Sequence, residues 1–197
     1  LERMGSDNKI SRLLFNRAKL NPKRVVFAEA DQLNVLKAAQ IALEEGIATP
    51  ILLGRRDEIE RLMEELEFDE KVLIIDPKGD ESIVQKNKYA EIYWKQQQRK
   101  GTTLLAAQKL MRERNYFAAM MINEGDADAL ISGYSSNYGS VVKPMLKLIG
   151  LAPGSTRIAT TNVMITQRGP MFLSDTAINI NPSADDLIKI AQMTSGV

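Results

Sequence analysis

A cation beside hydroxyls at the mouth of a strand can grip a phosphate, and this sequence offers that arrangement twice. The first is Arg99-Lys100-Gly101-Thr102-Thr103, a basic pair at a glycine break with two threonines alongside. A guanidinium there is able to hold a phosphate through two parallel hydrogen bonds. Equally, a basic pair at a helix C-terminus simply suits the dipole. The second is Asp128-Ala-Leu-Ile-Ser132-Gly133, a short apolar strand that stops at a polar segment, residues 134–138. Helically spaced apolar residues follow at Val141, Val142, Met145, Leu148 and Ile149. Hydroxyls, glycines and a helix N-terminus suit an anion, and ligands of open α/β sheets sit beyond the carboxyl ends of parallel strands. A plain strand–turn–helix connection has the same pattern. Ser132 reads either as a strand-end hydroxyl facing a ligand or as a small residue before Gly133. Lys143, taken with Pro144 as opening a helix, gains nothing from the dipole there, so it reads as an anion partner or as a surface lysine. Asp175 follows an apolar strand and is placed either to touch a ligand or to form a turn.

Composition removes several chemistries. The 197 residues include no histidine and no cysteine. Imidazole and thiolate chemistry, Ser–His pairs and disulfides are therefore excluded in this segment, and a zinc site of nitrogen or sulfur ligands is not expected. Asp126 and Asp128 resemble a metal-binding carboxylate pair, but two acids two residues apart are weak evidence, and no metal site is expected. No GxGxxG follows the first strand and no GxxxxGK[ST] occurs, so neither NAD nor ATP binding is supported. Lys and Arg total 26 against 25 Asp and Glu, which gives no electrostatic case for nucleic acid or a membrane surface. Apolar runs fall far below the ~20 residues that cross a bilayer. With no signal-peptide pattern, a cytoplasmic protein is expected.

The elements that would position these residues alternate along the chain. Residues 9–19 have helical spacing, stopped by Asn21-Pro22. Residues 24–28, 50–53, 72–75 and 128–133 read as strands. Between them lie helical patterns at 34–45, 55–66, 81–98 and 104–112, and an apolar run at 116–122 that reads as a buried helix. Asp31 is the candidate cap of the second helix, and Thr102 or Thr103 that of the helix at 104–112. Such alternation means a parallel sheet covered on both faces, with right-handed crossovers. GLAPGS at 150–155 is the clearest boundary. Beyond it, 157–166 and 170–174 read as an antiparallel hairpin about a turn at 167–169, and Ser183 caps a last helix. The chain opens Leu-Glu-Arg and closes while a helix pattern is under way, so a segment of a longer polypeptide is expected.

Several ordered stretches carry a family resemblance: RKGTT at 99–103, GDADALISG at 125–133, VVKPMLKLIG at 141–150, FLSDTAINI at 172–180 and NPSADDLIKIAQ at 181–192. They are similar to phosphate acetyltransferases. They resemble still more the phosphotransacetylase-like C-terminal domain of bacterial NADP-dependent malic enzymes, over about residues 21–197. NPKRVVFAEAD at 21–31 looks like the start of that domain, and residues 5–20 look like its connector from a malic-enzyme catalytic domain.

The resemblance implies a three-layer αβα parallel sheet of the isocitrate/isopropylmalate-dehydrogenase-like class. It implies a connector at 1–20, a first αβα domain at 21–154, and the beginning of a second αβα domain at 155–197. The first domain would lack its C-terminal segment. The serine, arginine and aspartate of acetyl transfer would lie beyond Val197, so no catalytic residue is expected here. Acetyl-CoA, or a related acyl or phosphate molecule, would bind between the domains. Arg99 matches a phosphate-pocket arginine of the family, while Lys143 stands where true acetyltransferases carry arginine. Lysine is a point charge without the paired grip. Together with Ser132, Gly133 and Asp175, these residues form the expected ligand pocket. The expected function is an acetyl-CoA-sensing regulatory domain of a malic enzyme. An N-terminal partner domain would convert malate to pyruvate with NADP and Mg or Mn, in a homo-oligomer, and this segment itself would hold no cofactor. The rivals are a catalytic phosphate acetyltransferase and an oligomerisation module that buries residues 116–122 against a second subunit.

Overall fold

The computed structural model describes residues 9–166 and 169–196. The described chain begins with helix α1 (Lys9–Leu20) and forms two compact units. One is Asn16–Gly150, and the other takes residues 9–15 and the described residues after 150.

The larger unit follows the alternation in the sequence. In order come β1 (Lys23–Phe27), α2 (Leu33–Glu44), β2 (Ala48–Leu53), α3 (Arg56–Glu65), β3 (Leu73–Ile75), α4 (Ile83–Gln97), α5 (Leu104–Leu110), α6 (Arg114–Asn123), β4 (Ala129–Ile131) and α7 (Tyr138–Leu148). All pairings are parallel, in the order β3-β2-β1-β4. Successive strand side chains point to opposite faces, and the apolar runs fill both. Val26, Ile51, Leu53 and Ile75 pack with Tyr89, Phe117 and Met120 on one side. Phe27 and Leu52 pack with Leu36, Ala39, Ile59 and Leu62 on the other. The result is three layers, helix–sheet–helix.

Helix α6 is the innermost helix. Phe117, Ala118, Ala119, Met120 and Met121 are all buried within this unit. Residues 117–121 of that run are therefore core of this unit, while Tyr116 and Ile122 at its ends are partly buried. The Phe117 ring meets Tyr89 of α4 edge-on, with centroids 5.2 Å apart. The Tyr89 hydroxyl donates to Asp126 and accepts from Gln85 Nε2. Burial, then Asp126, pushes the phenol well above its ordinary range. Tyr89→Phe leaves both partners unpaired, and a loss of about 1–2 kcal/mol is expected, read from the urea midpoint.

Two arginines fasten the sheet. Arg24 at the start of β1 donates to both Asp128 oxygens at 2.8 and 3.1 Å and to the carbonyls of Gly125 and Asp126. Asp126 and Asp128 are thus taken by Tyr89 and Arg24. No cluster able to hold a metal ion occurs among the described residues. At the other end of the sheet, Ile75 gives its carbonyl to Gly54 of the β2 side. The preceding carbonyl, Ile74, must then face outward. Arg56 Nη2 donates to it at 2.8 Å, and Glu81 holds Arg56 in turn.

The second unit contains an antiparallel hairpin, β5 (Thr161–Thr166) and β6 (Gly169–Ser174), with Val163 opposite Phe172. Pairing starts four residues later than the sequence pattern suggests. Arg157 is drawn to Asp186 at 2.8 Å, and the Ile158 carbonyl and Thr160 serve Asn179 and Asp175 instead. Residues 167 and 168 of the expected turn lie outside the described residues. Helix α8 (Ala184–Ser195) begins at Ser183, whose hydroxyl and amide exchange bonds with Asp186 in a capping box. Among the described residues, no helix is long and apolar enough to cross a membrane.

Candidate functional site

The chain moves outward from β1 to β2 to β3, then returns to the other side of β1 as β4. The crevice beyond the carboxyl ends of β1 and β4 is therefore the topological switch point, where open α/β sheets bind ligands. Glu29 and Asp31 reach it from β1. Ser132 to Ser136 reach it from β4. Arg114 and Asn115 come from the first turn of α6, and Ser140 and Lys143 from α7.

Glu29 is fully buried, and the loop after β4 is wrapped around it. Its carboxylate accepts from the amides of Gly133, Tyr134 and Ser135 and from the hydroxyls of Ser135 and Ser136, at 2.6 to 3.2 Å. Burial pushes this carboxyl up. The Ser136 and Ser135 hydroxyls, with the Tyr134 and Ser135 amides, outweigh burial and hold it at about 2. These are the donors that the sequence pattern offered to an external anion. The structure spends them on the protein's own carboxylate, which corrects the expectation of an open cradle. Gly133 turns the chain with φ +104°, a backbone that side-chain-bearing residues rarely adopt.

Asp31 does not cap α2, whose N-cap is Gln32 without a side-chain bond. It makes a fork with Arg114, at 2.8 and 3.0 Å. Arg114 Nη1 also donates to the Ala28 carbonyl at 3.3 Å. Helix α7 starts three residues earlier than its apolar pattern, because Asn137 accepts from the Ser140 amide at 2.9 Å and caps it. Lys143-Pro144 therefore lies inside the helix and does not open it. Asn115, buried at the start of α6, donates to the Ser140 carbonyl at 3.2 Å and accepts from the Ser132 hydroxyl at 2.8 Å.

Between α6 and α7 these residues leave a cavity of about 410 Å³, with Glu113, Arg114, Asn115, Ser136, Ser140 and Lys143 in its wall. Its volume suits a small ligand. Its charges are the Arg114 guanidinium, steadied by Asp31, the Glu113 carboxylate, and the exposed Lys143 ammonium. No hydrogen bond or ion pair holds the Lys143 ammonium among the described residues. This arrangement can bind an anion by one fixed and one adaptable cation.

Over residues 9–197 the sequence matches the family described as phosphate acetyl/butaryl transferase. The chain belongs to that family. It is 34% identical over 184 residues to the phosphate acetyltransferase of Thermoanaerobacterium thermosaccharolyticum, covering 90% of this chain and 55% of that protein. It is 32% identical over 193 residues to the NADP-dependent malic enzyme of Haemophilus influenzae, covering 93% of this chain and 25% of that protein. Among solved structures, a phosphotransacetylase from Staphylococcus aureus superposes with a TM-score of 0.80 at 28% identity, over 91% of this chain and 55% of that one. The chain thus spans about half the length of the phosphate acetyltransferases it matches. The parallel sheet flanked by helices is the architecture it shares with them.

Within this member of the phosphate acetyl/butaryl transferase family, the residues singled out by sequence fall in different places. Lys143 lines the cavity. Ser132 and Gly133 stand behind its wall, bonded to Asn115 and Glu29. Arg99 lies in the short 3-10 turn Gln98–Lys100, exposed, and does not line this cavity. Asp175 belongs to the other unit. It accepts from Thr160, Ile178 and Asn179. Burial raises its pKa, but those bonds outweigh it and hold it well below the carboxylate range. Sequence reasoning missed Glu29, Arg114 and Asn115. The signals were an acid closing an otherwise apolar strand, and an Arg-Asn pair opening an apolar helix.

Proposed function

We propose that the full-length protein is a phosphate acetyltransferase. A CoA thiolate attacks the acetyl carbon of acetyl phosphate, the carbon–oxygen bond to phosphate breaks, and inorganic phosphate leaves. The part of this chain is to hold the phosphate in the switch-point cavity, where Arg114 and Lys143 offset charge on the departing oxygens and fix its position. The observation that carries this reading is that the Lys143 ammonium, unpaired among the described residues, shares one cavity with Arg114 at the sheet's carboxyl edge, in a chain of this family. We assign the fold to the isocitrate/isopropylmalate-dehydrogenase-like class, with domains at 21–154 and from 155 onward. The test is acetyl-phosphate-dependent formation of acetyl-CoA by the full-length protein. Lys143→Ala should raise KM for acetyl phosphate about tenfold, as expected for one lost charge-assisted contact. An unchanged KM would remove Lys143 from the site.

A second reading is favoured by the malic-enzyme match: a regulatory domain that senses acetyl-CoA. Lysine in place of the family's arginine supports it, because the point charge binds without the paired grip. Under this reading the full-length protein reduces NADP with malate, using Mg or Mn in its other domain, and acetyl-CoA shifts that rate. Malate kinetics indifferent to acetyl-CoA would reject it.

A further inference from the structure

Pro144 leaves a defect inside α7 that one side chain from another helix repairs. Proline has no N–H, so the carbonyl four residues earlier, Ser140, loses its partner within the helix. Ser140 lines the cavity, one turn from Lys143. Asn115 of α6 supplies the missing donor at 3.2 Å. The same side chain accepts the Ser132 hydroxyl at the end of β4, at 2.8 Å. Asn115 is buried, with 7% of its surface exposed, and the described contacts use both ends of its amide. Three elements that carry the site's residues are thereby tied at one point.

We infer that Asn115 is a positioning residue that aims the first two turns of α7, and with them Lys143, at the phosphate cavity. The amide fits this task because it both donates and accepts. A hydrophobic residue of similar size would fill the space and do neither. This inference rests on the phosphate-binding reading of the cavity. It adds a residue that need not touch the ligand and whose effect depends on Pro144.

That dependence gives the test. In Pro144→Ala the helix regains an N–H for the Ser140 carbonyl, so the Asn115 donor becomes redundant. In the full-length protein, Asn115→Ala should raise KM for acetyl phosphate about tenfold with little change in kcat, because misplacing a binding group weakens ground and transition states alike. Made in the Pro144→Ala background, the same change should cost less than about twofold relative to that background. Equal losses in both backgrounds would overturn the proposal, since packing alone does not sense residue 144. If Asn115→Ala fails to fold, the isosteric Asn115→Asp takes its place: it can still accept from Ser132 but does not donate to Ser140. Hydrogen exchange of the α7 amides reads the tie without any assay of turnover. It should quicken in Asn115→Ala and return toward its background rate when Pro144→Ala is also present, and unchanged exchange would overturn the tie. A wild-type protein that ignores acetyl phosphate would defeat the functional reading while leaving the exchange result to decide the tie.

Discussion

Glu29→Gln is expected to lower the unfolding free energy of the larger unit by about 3 kcal/mol, the size of a carboxyl shift from 4.5 to about 2. The substitution keeps the volume and removes the charge. Five donors from Gly133 to Ser136 then face an amide in which one oxygen has become an NH2 group. At least one donor must lose its acceptor, and the loop should become exchange-labile. The pH dependence has a definite sign. The folded pKa lies below the unfolded one, so the unfolded chain binds more protons as acid is added. The Glu29 contribution is therefore complete above about pH 4.5 and is lost as pH falls toward about 2. Denaturant titrations across that window should show the wild type losing stability and Glu29→Gln losing much less. Parallel curves would refute the assignment.

Arg114→Ala is expected to have the second-largest effect, about 2 kcal/mol of stability together with most phosphate affinity. Removing the guanidinium leaves Asp31, whose side chain is only 8% exposed, without its forked partner. An orphaned buried charge costs more than the pair itself contributed. The partly exposed arginine moderates the loss. Arg114→Lys should fall between, because an ammonium keeps the charge but cannot bond both Asp31 oxygens and the Ala28 carbonyl in one plane. Urea midpoints give the stability change, and phosphate titration by calorimetry gives the affinity change. An Arg114→Lys variant equal to wild type in both would show that charge alone matters.

The layers of this fold were legible because apolar strand runs and helically spaced stretches alternate from residue 24 to 98, and Val26 and Phe27 already divide the sheet's faces. The switch-point loop was legible as a place but misread in its chemistry. Spacing shows that Ser135 and Ser136 follow a strand. It does not show that a carboxylate more than a hundred residues earlier claims their donors. Asn115 was hidden for a related reason: its job is set by a proline on a different helix, and no local pattern links the two. Asp31 illustrates the competition directly, since a short acid before a helix is a good cap until an arginine from another helix takes it.

Arg56 bears on how the molecule behaves in a crowded solution. An end strand usually advertises unpaired peptide groups along which a foreign chain can lengthen the array, and that is how many soluble proteins seed fibres. Here the terminal strand has three residues, Leu73–Ile75, and its outward carbonyl is already claimed by a guanidinium braced against Glu81. The array has been given a stop, and recruitment of neighbours along that side has no free acceptor at Ile74 from which to begin.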